Sequence, residues 1–239
     1  MARKKIVFII VEGPSDEEAL GVILNRLFDN NEIYIEIMHG DITSNLSIKP
    51  DCIASAIGNV VKKYAASMHF KQVHFQQVIH LIDMDGVYIP DSSIITNTEL
   101  SEPFYSLTEI QSANPERIKE RNKHKQLKLN RISILKKVWR SIPYQAYYMS
   151  CNLDHVLYGK MNSTDEEKEN DAYTFAKKYK DNIEGFLEFI SDSDFSRMGN
   201  YIETWEYIKK DHHSLERNTN LGLCFTEIRK CIKKTIKKG

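Results

Sequence analysis

Two periodicities alternate along this chain. Unbroken, mostly apolar runs occupy 5–11 (KIVFIIV), 33–38 (IYIEIM), 78–83 (VIHLID) and 144–149 (YQAYYM). Runs of this length and composition suit strands buried on both faces. Between them, apolar positions recur three and four residues apart. Ala19, Leu20, Ile23, Leu24 and Leu27 share one helical face in EEALGVILNRLF, and Ile53, Ile57, Val60, Val61 and Tyr64 do so over about 50–66. Ser15 or Asp16 is placed to cap the first of these helices. Strands alternating with helices predict an α/β fold whose mostly parallel sheet has about four strands flanked by helices. The C-terminal strand ends of such a sheet share one edge, and that edge is where sites form.

The alternation breaks after Asp85. Residues 86–114 are rich in Ser, Thr, Asn and Pro without a clear period, and read as a long loop or insertion. Residues 115–140 then carry ten Lys or Arg against Glu116 and Glu120. A solvated helical face and a phosphate-binding arm both account for such a run. Beyond the 144–149 strand the chain reads as helical, over AYTFAKKYK after the acidic 165–171 segment, 183–190, 201–209 and about 220–236. The polar stretch KKDHHSLERNTN, with His212, His213 and Arg217, reads as a solvated loop. Arg229, Lys230, Lys233, Lys234, Lys237 and Lys238 suit the C-terminus of the last helix. The expected organisation is a core over 1–160 with a basic insertion at about 86–140, and a helical extension over 161–239 packed on it.

Composition narrows the setting. With 33 basic and 33 acidic residues the formal charge is zero, so nucleic-acid binding must come from local patches. The cysteines, Cys52, Cys151, Cys224 and Cys231, are far apart and include no CxxC pair. They point to reduced thiols in a cytoplasmic protein and away from a zinc ribbon. No apolar run approaches the roughly 18 residues of a membrane span, and the N-terminus lacks a signal-peptide pattern.

Chemistry gathers at strand ends. The 78–83 strand leads into Asp83-Met84-Asp85-Gly86, and alternation puts both carboxylates on one side. Adjacent carboxylates repel unless neutralised, and a hard cation such as Mg²⁺ or Mn²⁺ prefers oxygen ligands; a solvated turn uses the same residue types. The 5–11 strand ends in Glu12-Gly13, followed by a helix N-terminus. Gly13 permits close backbone approach, and the free N–H groups there favour a phosphate. The 144–149 strand ends in Ser150, Asn152, Asp154 and His155. Glu12, Asp83 and Asp85 suffice to hold one or two Mg²⁺, with one carboxylate left for proton transfer. Lys123, Lys125 and Arg131 are the phosphate-binding candidates of the basic run.

Val11-Glu12-Gly13-Pro14-Ser15-Asp16, followed about seventy residues later by Asp83-Met84-Asp85, resembles the TOPRIM domain of topoisomerases, primases and OLD-family nucleases. YYMSCNLDHVLY looks like the later helix start of OLD-like and RloB-like phage-defence proteins. The resemblance implies a TOPRIM-like, Rossmann-like fold and a Mg²⁺-dependent nuclease active in antiphage defence. It makes Glu12 an acid–base group or metal ligand, Asp83 and Asp85 metal ligands, and Asp16 a secondary acid. Asp154 stands where OLD-like proteins often carry Glu, and His155 orients a phosphate or is structural. It further implies a nucleic-acid substrate and a separate ATPase partner; the sequence leaves the oligomeric state open, a homo-oligomer included. Two alternatives stay open. One is a haloacid-dehalogenase-type phosphatase with Asp83 as nucleophile and YYMSCN supplying its Ser motif; the other is a catalytically silent TOPRIM binding module.

Overall fold

A computed structural model describes residues 5–28 and 33–230. Strand β1 (Lys5–Val11) leads into helix α1 (Pro14–Phe28), β2 (Ile33–His39), α2 (Ile53–Ser67) and β3 (Phe75–Asp83). Three short strands follow, β4 (Ile94–Thr96), β5 (Phe104–Tyr105) and β6 (Ile110–Ser112), and then α3 (Pro115–Ile132). The hairpin β7 (Lys137–Val138) and β8 (Ile142–Met149) returns the chain to the main sheet, before α4 (Leu153–Tyr158), α5 (Asp165–Tyr179), α6 (Ile183–Asp192) and α7 (Tyr201–Ile208). The main sheet has the order β2-β1-β3-β8-β7, parallel throughout except for the short antiparallel edge strand β7.

Both faces of the sheet are covered, which is why its strands read as continuous apolar runs rather than alternating ones. Val7, Ile9 and Val11 of β1 join Ile79 and Leu81 of β3 in a core with residues of α1, α4, α5 and α6. The intervening Ile6, Phe8 and Ile10 join Val78 and Ile82 in a second core with residues of α2, α3 and α7. The period of two within β1 thus divides one strand between two cores. Parallel strands whose connections lie on both faces bring their C-terminal ends to one open edge.

Three expectations are corrected. Residues 86–114 are not a plain loop: β4, β6 and β5 form a small sheet over a third core of Ile89, Ile94, Ile110, Ile118, Cys151 and Leu215. Strands of two or three residues are too short to show a period. The 212–220 stretch is not a solvated loop either, since Ser214, Leu215, Asn218, Thr219 and Asn220 are all buried. They serve the backbone of β8 and the turn beyond it. Asn220 accepts from Tyr148 N at 2.9 Å, Thr219 Oγ1 donates to Tyr148 O at 2.7 Å, and Ser150 N donates to Asn218 O at 2.9 Å. Buried backbone groups need partners, and side chains and backbone of this stretch supply them here. Third, α1 starts at Pro14, so Asp16 is not its cap; its Oδ2 reaches back to accept from Glu12 N at 3.1 Å and Gly13 N at 2.9 Å.

Lys233, Lys234, Lys237 and Lys238 of the basic tail, and Cys231, lie outside the described residues. Cys52, Cys151 and Cys224 are free thiols. Among the described residues no helix is long and apolar enough to cross a membrane.

His80 of β3 is fully buried and shares a 2.8 Å hydrogen bond with Tyr144 Oη, while its Nε2 has no partner. Burial, with Lys125 adding to it, pushes its pKa down to about 3. The unfolded chain binds this proton from about pH 6.5 downward while the native state refuses it, so stability is lost as pH falls through that window. His80→Gln removes this contribution. Urea melts of the two proteins should differ most at pH 7 and converge toward pH 4, by up to about 1.4 kcal/mol per pH unit. A gap that stays constant with pH would remove His80 as the cause.

Candidate active site

Each of the four parallel strands delivers a carboxylate to the same edge. Glu12 follows β1 directly, Asp41 lies two residues beyond β2, Asp83 is the last residue of β3, and Asp154 sits in the first turn of α4 after β8. Together with Gly13, Asp16, Asn152 and Lys168 they line an open cleft of about 240 Å³. Glu12 links the cleft's strand ends. Its Oε1 accepts from Asp83 N at 3.2 Å and from Thr43 Oγ1 at 3.3 Å, tying three strand ends together.

The charge density of this cleft is expensive to maintain. Burial raises the Glu12 pKa to about 8, against the attraction of Lys125 and with the help of Asp85, Asp41 and Asp16. Burial also holds Asp83 well above the usual carboxylate range, reinforced by Glu12, Asp16 and Asp85. Asp154, buried beside Lys168, is shifted to about 6. Such shifts in a cleft make these residues functional-site candidates.

Asp85 is placed differently. β3 ends at Asp83, and Asp85 takes a left-handed backbone with φ 48°, so strand alternation does not carry to it. It does not line the cleft; its Oδ2 accepts from Lys125 Nζ at 2.6 Å. Gly86 follows with φ 64°, and a Cβ there would meet Leu215 Cδ2 at 2.6 Å, so this turn needs glycine.

Helix α3 supplies the opposing charge. Arg121, Lys125 and Lys128 recur at spacings of four and three and point inward. Arg121 donates to Asp85 O at 2.8 Å and to Tyr105 Oη at 2.9 Å. Lys125, fully buried, also reaches Ser44 Oγ at 3.1 Å and lies 3.8 Å from Glu12 Oε1. Lys128 donates to Thr43 O at 3.0 Å and Asn45 O at 2.6 Å, anchoring the loop that carries Asp41 and Thr43. Burial alone would lower the Lys125 pKa, but Asp85 and Glu12 raise it instead, and the same contact keeps Asp85 low despite its burial.

Of the remaining sequence candidates only Asn152 reaches the cleft. Lys123 is exposed, and Arg131 pairs with Asp51. Ser150 is buried, and its hydroxyl donates to His213 O at 2.9 Å and to Glu216 O. Asn152 caps α4, accepting from His155 N at 2.8 Å. His155 does not line the cleft; it is buried, and burial with Arg217 lowers its pKa to about 4. Sequence reasoning missed Asp41, Thr43, Arg121, Lys128 and Lys168 as site residues. Asp41 alone carried a readable signal, as an acid in the polar turn that follows a predicted strand.

Among the described residues no three His, Cys, Asp or Glu side chains are arranged to hold a metal ion directly. A closed protein cage is therefore absent. The donor set nevertheless fits a hydrated hard cation, because it is crowded carboxylate oxygen, and Mg²⁺ needs only one or two carboxylates besides water and substrate. Comparison of the chain with protein-family models, curated proteins and solved structures finds no match.

Lys125→Met leaves Asp85 partly buried without its closest counter-charge. It should lower stability by about 3 kcal/mol, and adding Asp85→Asn should recover part of that loss. Chemical melts of the two single variants and the double variant test the coupling. Additive effects would show that the contact carries no energy of its own.

Proposed function

We propose that this chain is a metal-dependent nuclease that hydrolyses phosphodiester bonds at the cleft between Glu12 and Asp83. The observation that carries the reading is the convergence of one carboxylate from each parallel strand on one cleft, with Glu12 hydrogen-bonded to the backbone of Asp83. The resemblance of V-E-G-x-x-D and D-x-D to TOPRIM nucleases supports the same chemistry. It also supplies a setting, an antiphage effector working with a separate ATPase.

Glu12 and Asp83 are the residues that would hold Mg²⁺ or Mn²⁺. Such an ion polarises a phosphoryl oxygen and lowers the pKa of bound water. Lys168, which lines the same cleft, attracts the phosphate of the strand to be cut. Asp154, titrating near 6 in the same cleft, is placed to take a proton from the attacking water. Lys125 and Arg121 hold Asp85 and the loop after β3 in place, and Lys125 adds positive charge behind the Glu12 carboxylate, 3.8 Å from its Oε1. Thr43 fixes the Glu12 carboxylate from the second side. The phosphatase alternative draws no support from Ser150, whose hydroxyl is spent on backbone carbonyls.

Single- and double-stranded DNA and RNA, incubated with Mg²⁺ or Mn²⁺, test the proposal directly. Cleavage should be abolished by chelator and should fall by about 100-fold or more in Glu12→Gln and in Asp83→Asn. Asp41→Asn should have a smaller effect. Hydrolysis of a phosphate monoester that needs Asp83 but not Glu12 would overturn the nuclease in favour of the phosphatase.

A further inference from the structure

The basic run that follows the small sheet divides in the fold. Arg121, Lys125 and Lys128 turn inward, whereas Lys136, Lys137 and Arg140 are exposed at the β7–β8 hairpin. This hairpin lies against α2, and between them is a second open cleft of about 270 Å³. Ser55, Gly58 and Lys62 of α2 line one side, and Lys137, Trp139 and Arg140 line the other. None of its lining residues is acidic.

That absence extends through the sequence. No Asp or Glu occurs from Cys52 to Ile82 or from Arg121 to Leu153, the two stretches that build this part of the molecule. In a chain of zero formal charge, this concentrates uncompensated positive charge on one cleft. The hairpin is held in a costly shape. Trp139 and Arg140 are consecutive left-handed residues with φ 39° and 68°, in a turn position that favours Asn-Gly. Gln72 keeps it there, its Nε2 donating to Trp139 O and to Ser141 Oγ at 2.8 Å. Gly58 admits the turn, since a Cβ there would lie 3.1 Å from Trp139 N. Trp139 packs edge-on against Phe75 at 5.9 Å between ring centroids yet stays half-exposed, and three cations surround it on one concavity, a combination that suits phosphate and base.

We propose that this α2–hairpin cleft is a second binding site, which holds the phosphate backbone of a single-stranded nucleic acid through Lys62, Lys137 and Arg140, with Trp139 beside a base. Its concave form admits a chain of phosphates, whereas a flat lipid surface would reach only its rim. The site stands on its own geometry and does not depend on the carboxylate cleft being catalytic.

Intrinsic fluorescence reads it out. The chain has two tryptophans, and Trp205 is buried in the core, so a change on adding oligothymidylate reports on Trp139. The titration is run on the full chain in chelator, so that binding is read whether or not the protein cuts. Wild-type emission should be quenched. Lys137→Glu/Arg140→Glu should weaken binding about 10-fold or more and flatten the salt dependence by about 1.4 in log–log slope. Lys62→Glu, on a different element, should weaken it in the same direction. Lys177→Glu/Lys178→Glu on α5 makes the same change in net charge on the other face of the sheet and should leave affinity unchanged. Far-UV spectra and melts confirm that each variant folds. Absence of quenching, equal weakening by the α5 pair, or quenching by anionic vesicles but not by the oligonucleotide would each overturn the site.

Discussion

Carboxylates brought together at the end of a buried sheet repel one another, and burial adds a desolvation penalty to that repulsion. In this protein the penalty is met first by Lys125. Its ammonium group is fully buried, pairs with Asp85 at 2.6 Å and lies within 4 Å of Glu12. Much else follows from placing that charge. Helix α3 must cross the strand ends at one register, Asp85 must leave the strand in a left-handed turn, and Gly86 must follow it. The loop after β2 is drawn in by Lys125 and Lys128, which sets Thr43 against Glu12.

The two carboxylates first paired by strand alternation therefore have different electrostatic roles. Asp85 is neutralised from within the protein and its pKa falls. Asp83, on the cleft side, has no such internal partner and its pKa rises with that of Glu12. A site built this way keeps part of its charge compensated permanently and leaves the rest for what enters the cleft. On the proposed reading, a hard cation is the species whose charge matches that remainder.

Charge is sorted on a larger scale as well. Acidic side chains concentrate at the strand C-terminal edge and in the first turn of α5, while the α2 and hairpin region carries cations without acids. The formal charge of zero is thus a sum of opposed local fields, and the sum describes neither of them.

The strands β1, β2, β3 and β8 and the helices α1 and α2 were legible in the sequence within a few residues, because both-face burial and helical stripes are local patterns. Glu12 and Asp83 were legible too, since a parallel sheet obliges strand ends to share an edge. What only the tertiary structure decided were the long-range pairings. Lys125 and Lys123 are indistinguishable as letters two positions apart in one basic run, yet one is fully buried against Asp85 and the other is exposed, because helix rotation selects which lysine faces the sheet. Asn218, Thr219 and Asn220 look like loop residues until β8 and the turn beyond it need backbone partners. Local order is set by neighbours in sequence; the compensation of buried charge and buried backbone groups is set by whatever the fold brings to them.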